Sequence, residues 1–143
     1  MENITFHHTL PIQLRFSDFD SLGHVNNTVY LSYYDLGKTA YFSTLFPDWM
    51  MKETAVMVVH VDVDFFSQVF PHENVAVETA ITELGNKSIH LLQRLISLDT
   101  QEAKCVCHTV MVYYNLKERT SQDIPQEWVD AICRFEGRDV RRK

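Results

Sequence analysis

From Val25 to Leu45 the apolar residues Val25, Val29, Tyr33, Leu36, Ala40 and Leu45 recur at steps of three to five, and Tyr30, Tyr34, Tyr41 and Phe42 widen the stripe. This spacing predicts a helix of about five turns, covered on most sides. Either Asn26 or Asn27 can cap its start, because an Asn side chain accepts from the free N–H groups of a first turn. Pro47 marks its end.

Elsewhere the period is two. Leu10–Phe16 alternates, with Ile12, Leu14 and Phe16 on one side, and predicts a first strand. Ala55–Phe66 alternates most clearly: Met57, Val59, Val61, Val63 and Phe65 form an apolar face expected to lie on the helix, opposite Val58, His60, Asp62 and Asp64. Val75–Leu84 and Ser88–Leu98 flank a Gly85-Asn86 hairpin signal. Ser88–Leu98 and Ala103–Leu116 carry apolar residues on both faces, so their outer faces are expected to meet something, such as another subunit. Ile124–Phe135 reads as a short helix with Pro125 in its first turn. The loop Asp48–Thr54, with Trp49, Met50 and Met51, is expected to close the end of the core, with the lip of a binding tunnel as the less common alternative, and the basic tail GRDVRRK is expected to be loose. One long helix with five or six antiparallel strands is an α+β architecture.

At 143 residues the chain is expected to be a single domain, residues 1–143, without repeats or linkers. Such a chain buries about 70% of the surface it exposes when unfolded. Its net charge of −6 argues against general binding to nucleic acid or a membrane surface. The opening MENITFHHTL has no basic start and no apolar run, and no segment reaches the length of a membrane span, so a cytoplasmic location is expected. Cys105, Cys107 and Cys133 are odd in number and are expected to be reduced and structural. His60, Asp62 and Asp64 share a strand face and could be taken for metal ligands. A solvated or subunit-facing surface is the commoner origin of such a face, and no metal or other cofactor is expected.

The chemistry concentrates just before the long helix, in the turn Arg15–Asn27. Asp20 there can serve as a nucleophile or general base beside N–H groups that favour developing negative charge. Spacing alone favours a turn residue that bonds its own backbone, and it does not choose between Asp20 and Asp18.

The run D-x-D-x-x-G-H-V-N-N-x-x-Y, formed by Asp18, Asp20, Gly23, His24, Val25, Asn26, Asn27 and Tyr30, resembles the signature of hotdog-fold acyl-CoA and acyl carrier protein thioesterases. More narrowly, it is similar to the 4-hydroxybenzoyl-CoA thioesterase-like branch. The resemblance implies a hotdog fold, a sheet wrapped around one central helix. It implies that Asp20 is the catalytic carboxylate, that the Asn27 N–H polarises the thioester carbonyl, and that His24 and Asn26 line or brace the turn. Gly23, Val25, Tyr30, Lys87 and Ser88 are the implied substrate-binding positions, Lys87-Ser88 matching a recurrent feature of the family near coenzyme A phosphates. Arg94 is a further candidate for that role. The resemblance also implies a homodimer or homotetramer with active sites at the dimer interface.

The expected activity is hydrolysis of an acyl-CoA or acyl carrier protein thioester. The competing expectation is a non-catalytic acyl-CoA-binding or regulatory module, in which Asp20 merely braces its turn. A hotdog dehydratase would need a His paired with an acid in another arrangement, which His24 alone does not supply. No P-loop, G-x-G-x-x-G or G-x-S-x-G occurs.

Overall fold

The structure, a computed structural model, describes residues 4–51 and 53–142 without the Met51 side chain. Lys52 of the expected loop and Lys143 of the expected tail fall outside it. The long helix is α1 (Val29–Leu45). It starts later than the apolar spacing implies, because Val25 bridges to Phe19 and the Val29 N–H closes a turn on the Asn26 carbonyl at 2.9 Å. The Asn26 carboxamide oxygen accepts from the Thr28 N–H at 3.0 Å and the Thr28 hydroxyl at 2.8 Å, a local bond that competes with helix. Thr28, not Asn26 or Asn27, is the N-cap residue, and its side chain caps nothing. At the other end Phe46 donates to the Phe42 carbonyl, and Pro47 follows as expected.

Among the described residues six strands form one antiparallel sheet. They are β1 (His8–Ile12), β2 (Thr54–Phe65), β3 (Val75–Leu84), β4 (Ser88–Ser97), β5 (Ala103–Asn115) and β6 (Thr120–Ser121), ordered β1-β3-β4-β5-β2 with β6 also on β5. The helix α2 (Gln126–Glu136) follows. The sheet carries α1 chiefly on β3, β1 and β4, which is the hotdog arrangement implied by the motif.

Gly37 sets how closely helix and sheet approach. A Cβ there would lie 2.6 Å from Val77 Cγ1 and 2.9 Å from Gln93 Nε2. Gln93, fully buried, donates to the Tyr34 carbonyl at 2.9 Å and to Thr79 Oγ1 at 3.0 Å, tying α1 to β3 and β4. Two apolar clusters flank this contact. One, at the N-terminal end of α1, contains Val25, Tyr33, Tyr34, Leu95, Cys105 and Cys107. The other, at its C-terminal end, contains Tyr41, Phe42, Ile81, Leu91, Trp128 and Ile132. Trp49 packs against the second cluster, so the loop after α1 closes that end of the core.

Three further expectations change. β1 ends at Ile12, and Phe16 lies in a 3-10 turn, Phe16–Asp18, almost fully exposed rather than beside Ile12 and Leu14. In β2 a bulge falls between Val58 and His60. It puts Met57 on the outer face, while Val56 and Val63, which lie on opposite sides of the bulge and differ in parity, both pack inward. β2 is also an edge strand, so Val61 and Phe65 stay 40% and 47% exposed instead of buried under the helix, and Val58, expected on the opposite face, is turned inward by the bulge and stays 47% exposed. The tail is docked rather than loose. Gly137, at φ 73, turns the chain after α2, Val140 is buried, and Leu84 bonds to the carbonyl of Val140 and the N–H of Arg142.

Candidate functional site

The turn between β1 and α1 is held by bonds that its own residues supply. Asp20 N donates to the His24 carbonyl, Gly23 N to the Asp20 carbonyl, and Asn26 N to the Asp18 carbonyl, all at 3.0–3.1 Å. Gly23 sits at φ 85, where a side chain would be strained. Val25 N donates to Val69, so the turn is stitched to the loop after β2.

The two carboxylates of the motif have different surroundings. Asp18 is 1% exposed. Its Oδ2 accepts from the Tyr33 hydroxyl at 2.6 Å and from Arg15 N, and its Oδ1 from the Arg15 guanidinium at 2.9 Å. Burial would raise its pKa, but the Tyr33 and Arg15 bonds outweigh that and hold it below the ordinary carboxylate value. Asp18 is a fully used structural anion. Asp20 is half-buried, and its Oδ1 accepts from Leu22 N at 2.9 Å. Its Oδ2 has no hydrogen-bond partner among the described residues.

The helix start offers a complementary group. Asn27 is exposed, and its backbone N–H has no acceptor among the described residues, whereas the N–H groups of Asn26, Thr28 and Val29 are all taken. A free carboxylate oxygen and a free amide thus belong to one short turn ahead of a helix N-terminus, where partial positive charge gathers. His24 Nδ1 lies 3.4 Å from the Val25 carbonyl, so its ring rests on the turn backbone.

Other expected positions are distributed differently. Val25 and Tyr30 are 1% and 2% exposed and support the turn from beneath; the Tyr30 ring lies 5.2 Å from that of Phe65. Lys87, exposed, and Ser88, half-buried, lie in the β3–β4 hairpin beside the C-terminal cluster of α1. They are therefore a helix length, about 25 Å, from Asp20 within one chain. Arg94 is occupied: its Nε donates to Glu78 at 3.1 Å and its guanidinium covers the Phe6 ring. What sequence reading missed is that the docked tail sets Arg141 and Arg142 along the recess that includes Gly85 and Asn86, next to Lys87. The signal was the basic run itself, read as solvated.

His60 and Asp62 pair at 3.1 Å on the exposed outer face, and His108 approaches the same carboxylate at 3.4 Å. Asp64 does not join them, and the described residues gather no set of three or more groups able to hold a metal ion. Cys105 and Cys107 are buried and free, and burial pushes the Cys105 thiol up to about 11. No helix among the described residues is long and apolar enough to cross a membrane.

Comparison with known proteins bears on this site. The profile of the thioesterase-like superfamily matches residues 14–132. A thioesterase from Thermus thermophilus, solved with coenzyme A and Zn, is 28% identical, with a TM-score of 0.83 over 93% of this chain and 96% of that one. The PA2801 protein of Pseudomonas aeruginosa, a proposed thioesterase, is 31% identical, with a TM-score of 0.82 over 90% and 99%. The PA5185 protein of the same species, strain PAO1, is 26% identical, with a TM-score of 0.84 over 96% and 95%. The uncharacterised protein YsmA of Bacillus subtilis strain 168 is 29% identical over 80 residues, which are 56% of this chain and 54% of that relative's length.

Proposed function

Because the chain belongs to the thioesterase-like superfamily, we propose that it hydrolyses an acyl-CoA thioester to a free acid and a thiol, with Asp20 as its catalytic carboxylate. The observation that carries this reading is the pairing, in one turn, of an Asp20 oxygen and an Asn27 N–H that are both unpartnered among the described residues. Asp20 Oδ2 either attacks the thioester carbonyl, releasing thiolate and leaving an acyl anhydride for water to cleave, or takes a proton from the attacking water. In both routes the carbonyl oxygen gains negative charge, and the Asn27 N–H at the helix start is the donor proposed to meet it. Asn26 and His24 act as positioning residues, Asn26 by occupying the Thr28 N–H and Thr28 hydroxyl so that the turn keeps its shape.

Coenzyme A is favoured as the thiol because the Thermus thermophilus relative was solved with it; an acyl carrier protein is the other candidate. Since Lys87 and Ser88 lie at the far end of α1 from Asp20, they can serve its site only from a second chain. We therefore propose a homodimer, pairing through the β2 edge, in which the hairpin of one chain supplies phosphate contacts to the turn of the other.

The test is thiol release from short, long and aromatic acyl-CoAs by the wild type and Asp20→Asn. Loss of one oxyanion donor costs about 10²–10³ in rate, and the carboxylate should matter at least as much, so the variant is expected to fall by that factor or more while remaining folded. Retention of most of the activity would refute the assignment. The Asp20–Leu22 bond favours a second reading, a binding module in which Asp20 only braces its turn. In that case bound acyl-CoA would be recovered intact.

A further inference from the structure

The sheet-facing side of α1 is aromatic and apolar with one exception. Lys38 sits in the middle of the helix with its side chain 9% exposed. It lies on the side turned towards β5 and β2, where its charge acts on the Cys107 thiol. An ammonium has three donors to satisfy. Among the described residues Lys38 Nζ has a single hydrogen-bond partner, Asp35 Oδ1 at 3.2 Å, and the Asp35 side chain is 73% exposed. A one-turn ion pair with a solvated partner is weak. Lys38 thus keeps donor capacity for another anion.

What lies beside it is apolar and open. Leu31, about two turns nearer the helix start on the same side, and Val58, Val61 and Phe65 on the inner face of β2 are between 40% and 47% exposed. The β5 residues between them, Cys107 and Thr109, are buried. Pairing of β2 through its edge would leave this inner face as one wall of a trough and α1 as the other. The trough begins at the Asn27 end of α1, and Lys38 lies about 15 Å further along the helix axis from Thr28. An apolar trough with a single buried cation at its far end matches a chain with an apolar body and an anionic tip.

We propose that this trough holds the acyl chain of the substrate, and that Lys38 selects thioesters whose distal end carries a carboxylate, that is, monothioesters of dicarboxylic acids. The inference rests on the thioesterase reading of Asp20. The distal carboxylate displaces Asp35 from Lys38, and Asp35, being exposed, returns to solvent at little cost. A methyl-ended chain leaves the ammonium with its weak partner and gains nothing there.

The experiment compares kcat/KM for length-matched pairs, octanoyl-CoA with suberoyl-CoA and decanoyl-CoA with sebacoyl-CoA, in wild type, Lys38→Met and Asp35→Asn. Reading the ratio within each pair removes differences in folded fraction between preparations. A charge-assisted contact is worth at least about tenfold, so the wild type should prefer the carboxylate-ended ester of at least one pair by that factor. Lys38→Met should abolish the preference, and Asp35→Asn, which removes the competing carboxylate, should enlarge it. A wild type that turns over the methyl-ended esters as well as the carboxylate-ended ones, or a preference that survives Lys38→Met, would overturn the role of Lys38 while leaving the thioesterase reading in place. A wild type inert towards every ester would overturn both.

Discussion

Burial alone would push the Asp18 carboxyl up, and the Tyr33 hydroxyl and the Arg15 guanidinium reverse that. A carboxyl whose folded pKa lies below its unfolded value stabilises the fold above that unfolded value, 3.8 here, and the contribution is lost as pH falls through the folded pKa. Asp18→Asn should therefore cost about 2–3 kcal/mol near neutrality, the scale of a hydrogen bond to a charged group. It should also flatten the loss of stability below about pH 4 that the wild type shows, as read from urea denaturation across that range. An unchanged acid limb would mean that Asp18 is not the charged anchor of the turn. Asp20, two residues on, lacks such partners, which is why its substitution is expected to remove turnover and spare the fold. This division was not legible in the motif, where the two aspartates have equal standing. It depends on Tyr33, fifteen positions away, reaching only one of them.

At the scale of elements, α1 was legible from its apolar spacing, and β3, β4 and β5 from theirs, because each buries a face whose period matches its own geometry. β2 was legible as a strand but not in its facing. The run AVMVVHV offers apolar residues at both parities, so nothing in it marks the bulge near Val59 that sends Met57 outward. The start of α1 was misplaced because the Asn26 side chain bonds locally, a competition that periodicity does not register. The tail was misread because its one apolar residue, Val140, is enough to dock it once the Leu84 backbone is available. Gly37 carries the helix–sheet contact. Gly37→Ala would place a methyl 2.6 Å from Val77 Cγ1 and 2.9 Å from Gln93 Nε2. The expected loss is about 1–3 kcal/mol, the usual cost of overpacking, despite the higher helix propensity of Ala. Equal or greater stability in chemical denaturation would show that α1 can lift from the sheet without loss.

For the whole molecule, the open β2 edge and its exposed apolar residues are the features a single chain leaves unfinished, since an unpaired edge is a template for another strand. Val59 is 60% exposed at the bulge, so a charge there should not disturb the isolated fold. Val59→Lys is expected to shift sedimentation from dimer to monomer, with far-UV dichroism retained and thioester hydrolysis lost. A monomeric Val59→Lys that keeps full activity would remove the need for a second chain.

The placement of Asp20 and Lys87 at opposite ends of α1 has a consequence for mixtures. In a two-fold dimer of the proposed kind each site draws its carboxylate from one chain and its hairpin cation from the other, so two defects in different chains fall together into one site. Asp20→Asn and Lys87→Glu proteins, each inactive or nearly so alone, should complement when unfolded together and refolded. Random reassortment makes about half the dimers mixed, and each mixed dimer holds one site with both groups intact, so about a quarter of wild-type activity should return. If both groups belonged to a single chain's site, every chain in the mixture would carry a damaged site, and no activity would return.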